Sequence, residues 1–112
     1  MNYSYHVRKA IHYVGEHYHE DITLATVAEY LGLNKCYFCT MFKSETGENF
    51  SNFLNQVRID KGKELLTAGN LSMVDVAFSV GYSSQSYFNN VFKKNTGTTP
   101  RKFRDMQLGM MA

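Results

Sequence analysis

Apolar residues return along most of the chain at intervals of three and four, the period of a helix with one buried face. Between Tyr5 and His17, the residues Val7, Ala10, Ile11 and Val14 share one side of such a helix. Val27, Ala28 and Leu31 form a short stripe that stops at Gly32, where the lack of a Cβ lets the backbone turn. Asn34 is suited to cap the next helix, in which Phe38, Met41 and Phe42 point inward, Glu45 continues the spacing and Gly47 marks the end. From Phe50 to Thr67 the inward positions are Phe53, Leu54, Val57, Leu65 and Leu66, with Gly69-Asn70 as the stop. Ser72, followed three residues on by Asp75, has the spacing of a capping box. Behind it come the stripe Val76, Ala77 and Val80, a turn at Gly81, a cap at Ser83 or Ser84 and a stop at Gly97. Thr99-Pro100 has the order of a cap and a first helical residue and leads into a helix over Arg101–Met106. The segment Leu108–Ala112 lacks periodicity and reads as a frayed tail. No stretch shows a strand pattern, so the expected class is all-α with about seven helices.

The pattern also repeats. Val27, Ala28 and Gly32 match Val76, Ala77 and Gly81 at an offset of 49. Tyr37, Phe38, Phe42, Lys43, Thr46 and Gly47 match Tyr87, Phe88, Phe92, Lys93, Thr96 and Gly97 at an offset of 50. The slip of one residue falls just after the first glycine, where a turn absorbs an insertion. Two copies are too few for a solenoid. Each copy is a helix, a tight glycine turn and a second helix, which is a helix-turn-helix. The expected organisation is a first helix-turn-helix subdomain over 1–49, a connecting helix over 50–69, a second subdomain over 70–107 and a tail over 108–112.

The chain has 112 residues, 44 % of them hydrophobic, with eight Tyr and eight Phe, enough for a packed core. Its single Pro stands at position 100, which leaves long helices uninterrupted. No run approaches the roughly 18 apolar residues of a membrane span. The N-terminus lacks the basic and then apolar order of a signal peptide. Two cysteines three apart do not imply a disulfide scaffold, so the expected location is the cytoplasm. Net charge is +2, but residues 1–50 carry two more acidic than basic side chains, and residues 51–112 carry four more basic than acidic ones. A basic C-terminal half suits a polyanionic partner.

In a helix-turn-helix the second helix enters the major groove while the first braces it across the backbone. The reading face of the first copy is then Lys35, Cys36, Cys39, Thr40 and Lys43; that of the second is Ser84, Gln85, Ser86, Asn89, Asn90 and Lys93. Gln and Asn pair bidentately with adenine, and Ser or Thr bonds several base edges. We therefore assign base reading to Cys36, Cys39, Thr40, Gln85, Ser86, Asn89 and Asn90. Asn34, Lys35, Lys43, Ser83, Ser84, Lys93, Lys94 and Arg101 are assigned to phosphates. A solvated face would look the same on one helix; its recurrence at one place in two copies favours a binding surface. A connecting helix of about 18 residues spans roughly 27 Å, close to the roughly 34 Å between successive major grooves on one side of a duplex. One chain can thus set both second helices into adjacent grooves, with some bending of the DNA.

The segments VAEYLGLNKCYFCTMFKSETG, VRIDKGKELL and DVAFSVGYSSQSYFNNVFKKNTGTTPRKFR resemble the DNA-binding domain of the AraC/XylS family of bacterial transcription regulators. The resemblance spans residues 6–105 and is most specific in the second copy with its Thr-Pro end. It implies seven helices, contact by a single chain with about two turns of duplex DNA, and a separate sensing domain. The N-terminal segment is similar to members fused to a phosphoacceptor receiver domain, as in two-component response regulators. Positions 36, 39, 40, 85, 86, 89 and 90 align with the family's base-reading positions. Members commonly carry Arg where this chain has Thr40, and often where it has Asn90; loss of each bidentate donor weakens guanine reading by about 1–3 kcal/mol. Gly62 replaces a usual Ala, at a cost of about 1 kcal/mol if exposed, unless it serves close packing.

Other chemistries fit less well. Cys36-Tyr-Phe-Cys39 has the spacing of thiol redox enzymes, but those place the motif after a strand at a helix N-terminus. A redox-sensitive DNA contact suits it better. His12 and His17, five apart, sit about 140° apart on a helix, and His19 lies past its end, so no metal is expected. No Ser-His-Asp, paired-carboxylate or phosphate-loop arrangement is present, so neither an enzyme nor a cofactor is expected. Tyr30 and an exposed Tyr82 are candidate contacts for a protein partner such as RNA polymerase or a sensing domain. The alternative function is a helical interaction module with weak or lost DNA binding.

Overall fold

The computed structural model describes residues 2–111. Seven helices follow in order: α1 (Tyr5–His17), α2 (Leu24–Leu31), α3 (Lys35–Thr46), α4 (Phe50–Ala68), α5 (Met73–Ser79), α6 (Gln85–Thr96) and α7 (Pro100–Met111). No strand occurs among the described residues. The expected all-α class is thus observed. Two compact units divide the chain between Val57 and Arg58, inside α4.

In the first unit the start of each helix is set by a side chain that occupies a backbone donor with no partner inside the helix. Ser4 Oγ accepts from Val7 N, Thr23 Oγ1 from Thr26 N, Asn34 Oδ1 from Cys36 N and Tyr37 N, and Asn49 Oδ1 from Asn52 N. Ser4 N also donates to Glu45 Oε1 at 2.7 Å, tying the start of α1 to the end of α3. Val7, Ala10 and Val14 of α1 are fully buried with Val27, Phe38 and Phe42. Phe42 meets Phe38, Phe50 and Phe53 edge-on at centroid distances of 5.8, 5.7 and 5.3 Å, a favourable geometry for aromatic quadrupoles.

The second unit repeats this plan. Ser72 caps α5 through Asp75 N, and Ser84 caps α6 through Tyr87 N. The choice between Ser83 and Ser84 thereby falls on Ser84. Thr99 Oγ1 accepts from Lys102 N and opens α7. Phe92 meets Phe88 at 5.7 Å and Phe103 at 5.5 Å, both edge-on. Arg104 reaches back to the end of α4, donating to Leu66 O at 3.3 Å and to Leu71 O at 2.6 Å.

The turns repeat down to their hydrogen bonds. Leu33 N donates to Ala28 O and Tyr82 N to Ala77 O, closing the two helix-turn-helix corners. After each second helix a glycine adopts the left-handed conformation, Gly47 at φ 84° and Gly97 at φ 83°. In both places a threonine hydroxyl bridges the turn. Thr46 Oγ1 bonds Phe42 O at 2.8 Å and Glu48 O at 3.1 Å, and Thr96 Oγ1 bonds Phe92 O at 2.8 Å and Thr98 O at 3.0 Å.

Two expectations change, and one alternative left open by the sequence is decided. The last helix does not stop at Met106 but continues to Met111; Leu108 lies 3.5 Å from where a Cβ on Gly69 would stand, which anchors the extra turn. Ala112, the end of the expected tail, lies outside the described residues. Tyr82 is buried, only 3 % exposed, with Phe88 at 5.6 Å and the Arg58 guanidinium 5.4 Å from its ring centroid. It is a core residue of the second unit and not a surface contact. Gly62 is also buried, and a Cβ there would stand 3.3 Å from the Phe88 ring. Close packing accounts for this glycine.

Candidate nucleic-acid interface

The apolar stripe of α3 commits Phe38 and Phe42 to the core, and helical geometry then turns Cys36, Cys39, Thr40 and Lys43 outward on one line. All four are exposed, as is Lys35. On α6 the burial of Phe88, Val91 and Phe92 does the same for Ser86, Asn90 and Lys93, which are exposed, and for Asn89, which is half-buried. The positions correspond one for one at an offset of 50: Cys36 with Ser86, Cys39 with Asn89, Thr40 with Asn90, Lys43 with Lys93. Gln85 opens α6 and Lys94 follows Lys93; both are exposed.

The two caps have a second consequence. Asn34 spends its Oδ1 on two backbone donors, which leaves the side-chain amide N–H groups outward on an exposed residue. Ser84 spends an acceptor position on Tyr87 N and keeps its own proton for another acceptor. Ser83 is exposed and lies one residue ahead of the cap. Arg101 is exposed on the first turn of α7. With Ser72, Met73, Val74, Gln85, Arg104 and Asp105 it lines a cleft of about 380 Å³, so the second unit brings Gln85 and Arg101 to one rim.

Sequence reasoning missed Tyr37 and Tyr87. Both take part in the repeat, but an aromatic at helical spacing reads as core. They are in fact 60 % and 52 % exposed, each one residue after the first outward position of its helix. Their phenol hydroxyls are donors beside these outward lines. Tyr82 beneath Tyr87 has its phenol pushed up to about 12, mainly by burial, opposed by the Arg58 charge and reinforced by Tyr87.

The remaining candidates divide between the α3 line, which carries the two cysteines, and the α1–α2 segment, which carries the histidines and Tyr30. Cys36 and Cys39 are both free thiols. His12 pairs with Glu16, and His17 and His19 approach Glu20, whose carboxyl is held below its ordinary range, chiefly by the His17 hydrogen bond. Among the described residues no group of three metal-ligating side chains occurs, and no helix is long and apolar enough to cross a membrane. Tyr30 is 53 % exposed on α2, tilted against the Tyr13 ring at 4.5 Å and beside the Lys9 ammonium.

Two polar-faced second helices, each braced by a first, define a double helix-turn-helix protein. A helix-turn-helix domain family model matches residues 27–106. The chain is 36 % identical to the C-terminal domain of AraT, a response regulator from Geobacillus stearothermophilus, with a TM-score of 0.92 over 95 % of this chain and 88 % of that one. It is 35 % identical over 98 residues to an uncharacterized HTH-type transcriptional regulator in the cgkA 5′ region of Pseudoalteromonas carrageenovora, covering 88 % of this chain. The chain spans 58 % of that relative's length. The fold also matches the DNA-binding domain of AdpA, a global transcriptional factor solved with a target DNA, at a TM-score of 0.90 over 96 % of each chain and 23 % identity. The chain belongs to the AraC-type helix-turn-helix family.

Proposed function

We propose that this chain binds duplex DNA in a sequence-specific manner as the output domain of a bacterial transcription regulator, with α3 and α6 reading adjacent major grooves. One observation carries the reading. The same outward line of short polar side chains, ending in a lysine, occurs on both second helices, opposite a buried stripe of Phe38 and Phe42 on α3 and of Phe88, Val91 and Phe92 on α6. Gln85, Ser86, Asn89 and Asn90 offer the second groove amide and hydroxyl partners, adenine being the base that amides pair with best. Cys36, Cys39 and Thr40 face the first groove with weaker donors. Asn34, Lys35, Lys43, Ser83, Ser84, Lys93, Lys94 and Arg101, with Tyr37 and Tyr87, flank the base-reading line as phosphate contacts. Family membership and the DNA-bound relative of the same fold support the assignment.

In the longer protein we place a sensing or receiver domain upstream, and RNA polymerase among the partners. The exposed Val74 and Phe78 on α5 offer an apolar contact of the kind a protein partner uses.

The test is affinity for a selected duplex measured against salt. Neutralising Z phosphates gives a log–log slope of about −0.9Z, so the wild type falls steeply and Lys43→Ala and Lys93→Ala each flatten the slope by about 1. A flat response in the wild type would instead mark an interaction module.

A further inference from the structure

The exposed thiols on α3 are chemistry that base reading does not require. We propose that Cys36 and Cys39 form a dithiol modification site on the outward face of the first unit, closed to an intrahelical disulfide by a low-molecular-weight disulfide such as oxidised glutathione. Both cysteines are free and exposed. They stand where the second unit carries Ser86 and Asn89, so the same positions that hold hydrogen-bonding groups on α6 hold a pair of nucleophiles on α3.

Helix geometry puts Cα atoms three residues apart at about 5 Å, inside the range of about 4.4–6.8 Å that a disulfide spans. Cβ atoms three apart lie about 5–6 Å from each other, whereas a disulfide brings them to about 3.5–4.5 Å. The first turn of α3 must therefore tighten, toward the 3₁₀ form in which residues three apart eclipse. That turn has the freedom to do so, because its first N–H groups have no partners inside the helix and are held by the Asn34 side chain alone. Phe38, buried between the two thiols in sequence, resists the movement. The closed form is consequently strained, which makes it readily reduced and suited to a reversible mark.

The chemistry balances without a metal. One cysteine thiolate attacks a sulfur of oxidised glutathione, forming a mixed disulfide and releasing one glutathione thiolate. The second cysteine thiolate attacks the protein sulfur of that mixed disulfide, closing the Cys36–Cys39 bond and releasing the second glutathione. The protein gives up two electrons and two protons, and one glutathione disulfide becomes two glutathione thiols. Closure turns both sulfurs toward each other and reshapes the face that meets DNA. This consequence rests on the proposed function; closure itself does not.

Two readouts on the whole chain separate these claims. After incubation with oxidised glutathione and alkylation of remaining thiols, mass spectrometry is expected to show loss of two hydrogens and no retained glutathione, reversed by dithiothreitol. Cys36→Ser and Cys39→Ser are each expected to stop at one retained glutathione. Retained glutathione on both cysteines of the wild type would overturn the closure. Affinity for a selected duplex is expected to fall about tenfold in the closed form and to recover on reduction, while the Cys36→Ser/Cys39→Ser protein is indifferent to the oxidant. A closed form that binds as tightly as the reduced one would overturn the effect on the DNA-facing surface. Failure of the reduced protein to bind would instead overturn the proposed function, with the mass result still deciding the dithiol site.

Discussion

The first and second units share a skeleton and differ in what they show to the outside. Phe38 and Phe42 recur as Phe88 and Phe92, with ring geometries of 5.8 Å and 61° against 5.7 Å and 65°. The threonine bridges and left-handed glycines at the ends of α3 and α6 agree within a few tenths of an ångström and one degree. Outward positions drift. Ala25 and Glu29 on α2 become the exposed Val74 and Phe78 on α5, and the thiols of α3 become the hydroxyl and amide of α6. A packed corner tolerates few side chains, because volume changes inside it cost free energy directly. A surface is free to specialise, and in these two copies it has: amides on one unit, thiols on the other.

The largest expected effect tests the shared part. Phe38→Ala and Phe88→Ala each remove a fully buried ring and should cost about 3–5 kcal/mol, read by urea unfolding, with amide exchange rising first in the altered unit. If one substitution were tolerated, the two cores would not be equivalent. Next come Thr46→Val and Thr96→Val, each leaving a turn without its bridging hydroxyl and costing about 1 kcal/mol, equal in the two units within error.

The smallest expected effect separates the units and is confined to alkaline solution. Tyr82 occupies the place of Leu33 beyond the helix-turn-helix corner, and its phenol is pushed up to about 12 from 10.0 by burial. Its stabilising contribution is complete below pH 10 and is lost as pH rises through about 12, because the unfolded chain ionises first. Tyr82→Phe should flatten the stability profile over that window. A Tyr82→Phe protein with an unchanged alkaline slope would contradict the burial of the phenol.

Helix order, most caps and the repeat were legible because each rests on residue types with few substitutes: an oxygen at a cap, glycine at a left-handed turn, an aromatic in a tight corner. A deeper equivalence escaped the sequence. Val7, Ala10 and Val14 of α1 correspond to Ile59, Gly62 and Leu66 of α4 at an offset of 52, large-small-large in both cases and all buried. No residue is identical, since only the volume matters at these positions. Thus α4 closes the first unit with Leu54 and opens the second with Ile59. Tyr82 deceived for the converse reason. A tyrosine after a turn glycine suits either water or a core, and the partner that decides, Arg58, lies 24 residues earlier. The outward lines of α3 and α6 were readable as the complement of the stripe, but Tyr37 and Tyr87 were not, because their spacing mimics core.

The most direct test of the central claim is selection from random duplex DNA, run with the wild type, with Gln85→Ala/Asn89→Ala and with Thr40→Ala. The account expects two blocks of preferred bases about 10 base pairs apart. The α6 variant should erase preference in one block only, by about 1–3 kcal/mol per lost amide pairing. Thr40→Ala should soften the other block. Enrichment of no sequence, or loss of both blocks together from the α6 variant, would contradict it.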